Sequence, residues 1–324
     1  MEKKEGRRPV KPTTWILIIL GALLLLVLLI SYGLYRYALV RPRPRKKPKP
    51  PTKKWAPLMT RIHAGEAYLD SIPGKSLHLV AEDGTLLCAD YYPAADPHSK
   101  KALIAIHGHK SSGKTNFGVF AKFFRDMGYS LLIPDNRAHG KSQGKLIGFG
   151  WLDRLDCLLW MGYLRQQLGS DCQILLHGVS MGAATVLMTA GERPENLAGV
   201  IADCGFTSAE DQFAHVLRHY YHLPAFPFLP IASAICKLRA GYTFSECSAK
   251  ERLKNARVPI LFIHGGKDRF VPTWMSQKMY EEYTGGKELF IAPAADHATS
   301  YFFHTLEYEQ AVRNFLLRHL PELC

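Results

Sequence analysis

Ser180 has the surroundings expected of a catalytic nucleophile. It lies in HGVSMG, flanked by Gly178 and Gly182, directly after the apolar run QILLH and before MGAATVLM. A serine between two glycines at a strand end occupies a tight, strained turn that lifts its hydroxyl above the sheet. Because a serine hydroxyl is a weak nucleophile at neutral pH, it needs a base, and the base needs an orienting group. The pattern therefore predicts acyl transfer at Ser180.

Candidates for the base and the acid follow two later apolar runs. His297 comes after ELFIAP, and Asp268 comes after PILFIHGG. Both therefore fall in loops at predicted strand ends, where the hydroxyl of Ser180 is also expected. Asp203 and Asp296 are rival acids. We predict a catalytic triad of Ser180, Asp268 and His297.

Acyl transfer also needs two N–H donors for the oxygen that becomes negatively charged. One is predicted to be the backbone N–H of Met181, at the start of the helix after Ser180. The other is predicted to be the backbone N–H of His109, in the loop that follows the strand ALIAI. This chemistry requires no metal ion and no organic cofactor.

The same loop carries a rival motif. Gly108 to Thr115 reads GHKSSGKT, a complete match to the phosphate-binding pattern G-x-x-x-x-G-K-[ST]. LLIPD, ending at Asp135, resembles the metal-holding acidic strand of a nucleotide hydrolase. That alternative leaves Ser180, Asp268 and His297 unexplained at three strand ends. The serine reading leaves only Lys114 and Thr115 to explain, and we expect these to cap the following helix.

Two further alternatives stay open. A zinc hydrolase could use His107, His109, Asp135 and His139, which are suitable ligands, although no H-E-x-x-H or cysteine-pair pattern accompanies them. A catalytically inactive, membrane-tethered binding module would explain the N-terminal sequence but not an intact triad.

Eight short apolar runs alternate with helical patterns and predict the sheet that positions these residues. The predicted strands are Ser76–Val80, Leu86–Tyr92, Ala102–Ile106, Ser130–Pro134, Gln173–Leu176, Ala198–Ala202, Pro259–Ile263 and Glu288–Ile291. The first two form a hairpin around Asp83-Gly84, and the later ones alternate with helices such as Trp151–Leu168 and Thr305–Leu320. This order predicts an α/β fold with a mostly parallel sheet covered by helices on both faces. The aromatic, proline-punctuated residues 206–248 interrupt the alternation and predict a small helical lid over an apolar pocket.

The N-terminal residues differ from the rest in charge and hydropathy. Residues 1–54 hold 14 of the 41 lysines and arginines but only 2 of the 28 acidic residues, so the main domain is nearly neutral and a nucleic-acid partner is not expected. No charge interrupts the chain between Lys11 and Arg36. We predict a transmembrane anchor at 1–40, a basic, proline-rich linker at 41–55 and a catalytic domain at 56–324. The linker either attracts anionic headgroups or serves only as a solvated spacer.

Two further features bear on the side of the membrane that the catalytic domain occupies. Nine basic residues follow the apolar run and five precede it, which favours a cytoplasmic catalytic domain, whereas a single N-terminal anchor is more often found on exported domains. The seven cysteines show no paired spacing, which argues against an oxidising compartment.

The stretches IHGHKSSG, PDNRAHGKS, HGVSMGAA, FIHGGKDRFVP and APAADHA resemble landmarks of the α/β hydrolases. Within that superfamily they look like the serine aminopeptidase and prolyl oligopeptidase-like branch. IGFGWLDRLD and VIADCGFTS are similar to segments of membrane-anchored bacterial hydrolases of unassigned substrate. The resemblance implies a serine hydrolase, either an esterase or a peptidase, whose triad order is Ser180, Asp268, His297. The aromatic insertion and the apolar N-terminal run favour an ester, thioester or amide of an apolar, lipid-like or other small acyl group as the substrate. Two departures concern loop geometry: Ala138 replaces the usual glycine of R-G-H-G, and Ala295-Asp296 precede His297 where glycine is commoner.

Overall fold

The computed structural model describes residues 11–43 and 52–324, and an eight-stranded sheet lies at its centre. In chain order the strands are β1 (Lys75–Val80), β2 (Leu86–Tyr92), β3 (Lys101–Ile106), β4 (Ser130–Asp135), β5 (Gln173–Val179), β6 (Leu197–Asp203), β7 (Ile260–Gly265) and β8 (Lys287–Ala292). Their spatial order is β1-β2-β4-β3-β5-β6-β7-β8. β2 pairs antiparallel with β1 and β4, and the remaining neighbours are parallel. The predicted mostly parallel sheet and all eight predicted strands are confirmed.

Helices cover both faces of the sheet. They are α1 (Pro12–Leu39), α2 (Met59–Ser71), α3 (Gly113–Asp126), α4 (Asp153–Leu168), α5 (Met181–Ala190), α6 (Ala209–Tyr220), α7 (Phe228–Ala240), α8 (Ala249–Leu253), α9 (Trp274–Glu282), α10 (Ser300–Phe303) and α11 (Thr305–His319), with short 3-10 helices at Ala56–Leu58 and Pro321–Leu323. Successive strand residues point to opposite faces. In β3, Leu103 and Ala105 therefore join a core with α2, α3 and α11, while Ile104 joins a core with α4, α5 and α9.

Helix α1 is long and apolar enough to cross a membrane, by length and composition alone. Its last turns are packed against the rest of the protein. Tyr35, Ala38 and Leu39 are buried in the larger core, and Val40 pairs with Leu146 in an isolated β-bridge. The division expected at residue 40 therefore falls inside a packed region, and residues 44–51 of the predicted linker lie outside the described residues.

The segment expected to interrupt the alternation lies between β6 and β7 and contains α6 and α7. Its two ends meet, because Ser208 and Ser248 pair in an isolated antiparallel bridge. Ser208 also caps α6, accepting the backbone N–H of Asp211 at 3.0 Å, and the first turn of α6 carries acidic residues that suit a helix N-terminus. The insertion is thus a closed excursion from the carboxyl edge of the sheet.

Candidate active site

Ser180 stands at the turn between β5 and α5 with φ 58° and ψ −116°, a conformation that L-residues rarely adopt. The flanking glycines are needed for space. A β-carbon at Gly182 would overlap the carbonyl oxygen of Ile106, and one at Gly178 would overlap the carbonyl oxygen of Gly182. Strand, turn and helix are therefore packed backbone to backbone, which holds the Ser180 hydroxyl at the carboxyl edge of the sheet.

Ser180, His297 and Asp268 form a continuous hydrogen-bonded chain. The Oγ atom of Ser180 lies 2.9 Å from Nε2 of His297, and Nδ1 of His297 lies 2.7 Å from Oδ2 of Asp268. Because a carboxylate only accepts hydrogen bonds, the proton of the neutral imidazole is on Nδ1. The lone pair of Nε2 therefore faces the serine hydroxyl, the arrangement in which an imidazole can take a proton from it.

The carboxylate of Asp268 is buried and fully engaged. Its Oδ1 atom accepts the backbone N–H groups of Phe270 and Val271, both at 2.9 Å. Burial opposes the charge, but the nearby His297 and a hydrogen bond from His264 outweigh burial and hold the pKa of Asp268 well below its usual range. Asp268 therefore remains an anion that can stabilise a charged imidazole.

The two rival acids occupy other positions. The buried Asp203 side chain accepts a hydrogen bond from Ser300 at 3.4 Å, and burial raises the pKa of Asp203 to about 7. The carboxylate of Asp296 pairs with Lys54 at 2.9 Å and accepts the backbone N–H of His297 at 2.7 Å. Neither reaches the imidazole nitrogens of His297 within the described residues.

The predicted oxyanion donors lie beside Ser180. A β-carbon built on Gly108 would be 3.4 Å from the β-carbon of Ser180, so the loop that continues to His109 passes over the nucleophile. His109, Ser180 and Met181 all line the same cavity. Within the described residues, neither the N–H of His109 nor that of Met181 donates a hydrogen bond.

Two of the three histidines considered as zinc ligands, His107 and His139, hold loops. Nε2 of His107 accepts the backbone N–H of Asn136 at 3.0 Å, and Nε2 of His139 accepts that of Lys110 at 2.9 Å. Nδ1 of these two rings lies 2.7 and 2.9 Å from backbone carbonyl oxygens. Burial, with a contribution from His139, lowers the pKa of His107 to about 3. Both rings are neutral and have no free nitrogen to offer a metal.

The side chains of the rival phosphate-binding motif are paired with carboxylates of α2. Nζ of Lys114 lies 2.6 Å from Asp70, and the hydroxyl of Thr115 donates to Glu66 at 2.8 Å. A phosphate-binding loop needs this lysine for phosphate and this hydroxyl for Mg²⁺. The pairing favours the structural role of the motif, joining α3 to α2.

The N-terminus of α3 and Asp135 complete the description of the rival motif. Ser112, and not Lys114 or Thr115, occupies the N-cap position of α3, so the expected cap is wrong. The Asp135 carboxylate accepts the backbone N–H groups of Gly113 and Lys141 at 3.1 and 2.8 Å. Asp135 thus joins two loops.

A cavity of about 180 Å³ opens over Ser180. Its wall is aromatic and aliphatic and includes Phe149, Phe206, Phe213 and Phe244. Among the described residues that line it, none is Asp, Glu, Lys or Arg. Such a wall suits an uncharged, apolar group placed next to the nucleophile.

Comparison with known proteins agrees with the fold. The family described as serine aminopeptidase, S33, matches residues 97–225. An uncharacterized Bacillus subtilis protein, YqkD, is 35% identical over 226 residues, which cover 69% of this chain and 74% of that protein. A solved esterase from Pyrococcus furiosus has a TM-score of 0.64 at 23% identity, covering 87% of this chain and 98% of its own. The chain belongs to the α/β-hydrolase superfamily.

Two further matches were found for this α/β hydrolase, one over most of the chain and one over its N-terminal segment. An uncharacterized membrane protein of Saccharomyces cerevisiae is 24% identical over 264 residues, covering 79% of this chain and 84% of that protein. A second family, described as DNA binding protein S1FA, matches residues 4–61. That segment combines the apolar run with flanking lysines and arginines and is less than a fifth of the chain, so it shows no family membership.

The departure from the R-G-H-G pattern of other α/β hydrolases has a measurable consequence. Ala138 adopts φ 59°, in the left-handed region that favours glycine. Its backbone N–H donates to the carbonyl of Gln143 at 2.8 Å, and the neighbouring His139 holds Lys110 in the oxyanion loop. The hydrogen bond to Gln143 therefore keeps Ala138 in a left-handed conformation that a glycine would adopt without strain.

The sequence did not indicate two residues, Lys54 and Asn116, that this α/β hydrolase places near the candidate site. Lys54 pairs with Asp296 and donates to the carbonyl of His297 at 3.0 Å, although it was assigned only to a basic linker. Asn116, in the first turns of α3, accepts the N–H of Gly108 at 2.8 Å and so fixes the loop before His109. The Lys54 contact joins residues 243 positions apart. No local pattern in the sequence indicates either contact.

Proposed function

We propose that this hydrolase is a membrane-anchored serine esterase with Ser180 as nucleophile, His297 as base and Asp268 as the orienting acid. The observation that carries the proposal is the continuous relay of 2.9 and 2.7 Å hydrogen bonds that ends in an apolar cavity. The strained Ser180 turn and the free N–H groups beside it supply the other parts of the chemistry.

The relay performs acyl transfer in two steps. Oγ of Ser180 attacks the ester carbonyl carbon while its proton moves to Nε2 of His297, and the backbone N–H groups of His109 and Met181 receive the oxyanion. The C–O bond to the alcohol breaks, and the alcohol leaves with the proton from His297. A water molecule then attacks the acyl-enzyme by the same route, which releases the carboxylic acid and restores Ser180.

The lining of the cavity distinguishes among acyl substrates. An aminopeptidase must hold a protonated amine, which needs an acidic partner to be buried. No acidic side chain lies among the described residues of the cavity wall. An ester of an apolar acid needs no such partner, so this class fits best.

The N-terminal segments are assigned to membrane attachment. Residues 1–40 form the anchor, with α1 crossing the bilayer, residues 41–55 attract anionic headgroups, and residues 56–324 form the catalytic domain with 206–248 as its lid. The apolar composition of α1 and the membrane-protein relative support this assignment.

Three single substitutions test the proposed triad. Ser180→Ala should abolish labelling by a fluorophosphonate probe, and Asp268→Asn should lower kcat on a short ester about 10⁴-fold, because the imidazole is left in the wrong tautomer. Asp203→Asn is the matched control, because Asp203 is also a buried acid at the end of a neighbouring strand. This substitution should lower kcat less than about tenfold. Labelling of Ser180→Ala, or a larger loss in Asp203→Asn than in Asp268→Asn, would contradict the assignment.

A further inference from the structure

The end of the membrane helix forms part of the cavity over Ser180. Leu34, Tyr37 and Ala38 of α1 line it, opposite residues of the insertion such as Val216. The helix therefore contributes one wall of the site in addition to any role as a tether.

Hydrogen bonds from the site loops fix this helix end. Nε2 of His109 lies 2.8 Å from the carbonyl oxygen of Ala38, and Nζ of Lys110 donates to the carbonyl of Tyr37 at 2.6 Å. Burial lowers the pKa of His109 to about 3, so its ring is neutral and can donate to the Ala38 carbonyl. On the other side of the helix end, the backbone N–H of Ile147 donates to Leu39 at 2.7 Å. The loop that supplies an oxyanion donor is thus bonded to α1.

The exposure pattern of α1 places the site next to the bilayer. None of the residues from Pro12 to Ile30 is buried in the protein, and Ser31 is the first that is. At about 1.5 Å per residue, the unburied stretch is roughly 28 Å long, close to the hydrocarbon thickness of about 30 Å. Tyr37 then lies about 9 Å along the helix from Ser31, within the headgroup layer.

The rim of the cavity includes an exposed residue of α1. Tyr37 both lines the cavity and is 63% exposed, as expected of a residue on the rim. Helix α7 packs against α1, and the insertion exposes Phe226 at 77% and Leu238 at 85%. Large exposed apolar side chains beside a membrane helix indicate a surface in contact with lipid.

We infer that the substrate is a long-chain acyl ester resident in the bilayer, which enters between α1 and the insertion so that its acyl chain lies against Leu34, Tyr37 and Ala38. The inference rests on the proposed esterase function and specifies its substrate class. It also makes residues 34–39 part of the binding site, although the sequence alone predicted only an anchor there.

The selectivity of the enzyme for acyl-chain length tests whether α1 contacts the acyl chain. The full-length chain in phosphatidylcholine vesicles is assayed with 4-methylumbelliferyl acetate and 4-methylumbelliferyl palmitate, which differ only in the acyl group. Leu34→Trp should lower the palmitate-to-acetate ratio of kcat/KM at least about tenfold, because the indole fills the acyl channel. Leu29→Trp is the matched control: Leu29 is an exposed residue of the same helix, and its substitution should leave both rates unchanged.

A second variant tests the same inference in case Leu34→Trp does not fold. Tyr37→Ala changes an exposed rim residue and should raise the KM for palmitate without loss of fluorophosphonate labelling. An unchanged palmitate-to-acetate ratio in both Leu34→Trp and Tyr37→Ala would overturn the inference.

The route of entry is tested by where the palmitate ester is placed. The palmitate ester should be hydrolysed at least about tenfold faster when enzyme and ester share the same vesicles than when they are in separate vesicles. The reason is that a long acyl chain leaves its bilayer slowly. Equal rates would refute entry from the bilayer. If the wild type neither hydrolysed acetate nor bound the fluorophosphonate, the proposed esterase function itself would fail, an outcome distinct from either result above.

Discussion

At the scale of single residues, two non-glycine residues at or near the site adopt a backbone conformation with positive φ. Ser180 and Ala138 have φ near 58° and 59°, and neither is a glycine. Strain of this kind costs of order 1–3 kcal/mol and persists only where the surroundings over-determine it. Close backbone contacts at Gly178 and Gly182 hold Ser180 in this conformation. Ala138 is held by the hydrogen bond from its N–H to the carbonyl of Gln143. The contacts at Gly178 and Gly182 also hold the Ser180 hydroxyl at the carboxyl edge of the sheet, where the proposed mechanism needs it.

His177 lies on β5 beneath the nucleophile and is buried among aromatic rings. Its Nε2 atom lies 2.9 Å from the hydroxyl of Tyr308, and burial lowers its pKa to about 3. No partner for Nδ1 is found among the described residues. A histidine that is neutral when folded but protonated below about pH 6.5 when unfolded makes the fold sensitive to acid.

This burial predicts a pH-dependent difference between the wild type and His177→Gln, whose amide can keep the bond to Tyr308 but cannot be protonated. The stabilising contribution is fully present above pH 6.5 and is lost as the pH falls towards 3. The free energy of unfolding of the wild type, minus that of the variant, should drop by about 1.4 kcal/mol per pH unit between pH 6 and 4. Urea titrations measure it, and a constant difference across that range would show that His177 is not buried as a neutral group.

At this scale the sequence could indicate the proposed triad, because each of its three residues follows a strand. Ser180, Asp268 and His297 were indicated by the apolar runs before them, and parallel strands bring such ends to one edge. The contribution of Lys54 could not be predicted, because it depends on a contact with a loop more than two hundred residues away.

At the scale of elements, α2 joins the domain through a close crossing with α3. A β-carbon on Gly65 would overlap the backbone of Gly118, and one on Gly118 would lie 2.7 Å from the carbonyl carbon of Gly65. Lys114 and Thr115 add polar bonds to the same helix pair. The segment that mimics a phosphate-binding loop is thus explained by helix packing.

The crossing predicts opposite effects for two glycine-to-alanine changes in helices. Gly65→Ala should lower the free energy of unfolding by about 1–3 kcal/mol, because backbone must shift to admit the methyl group. Gly162→Ala in α4 has open space around it and should raise that free energy by roughly 0.5–1 kcal/mol. Thermal or urea unfolding measures both, and stabilisation by Gly65→Ala would contradict the close crossing.

The sequence predicted some elements well and others not at all, depending on whether their signal is local. Strands are buried apolar runs and are visible locally, and helices such as α4 were placed to within two residues at their start. Helix α2 was not predicted, because its central Gly65 weakens the helical signal and its partner Gly118 lies elsewhere in the chain. The contact of α1 with the cavity was likewise hidden, since the helix looks uniform in apolar composition.

At the scale of the whole molecule, charge and burial are segregated along the chain. The basic excess lies in residues 1–54, and the catalytic domain is nearly neutral. All seven cysteines lie in the described range; each is a free thiol, six are buried, and Cys324 is exposed. Burial raises the pKa of Cys157 and Cys236 to about 12, which suppresses the reactive thiolate.

This distribution makes Cys324 a single reporter of fold and membrane side. A membrane-impermeant maleimide should label one cysteine per native chain and seven in denaturant, and Cys324→Ser should remove the native label. Nine basic residues between Arg36 and Lys54 favour a cytoplasmic catalytic domain. We therefore expect labelling in inside-out membrane vesicles and none in right-side-out vesicles. Labelling in right-side-out vesicles would place the domain on the opposite side, and native labelling of several cysteines would contradict their burial.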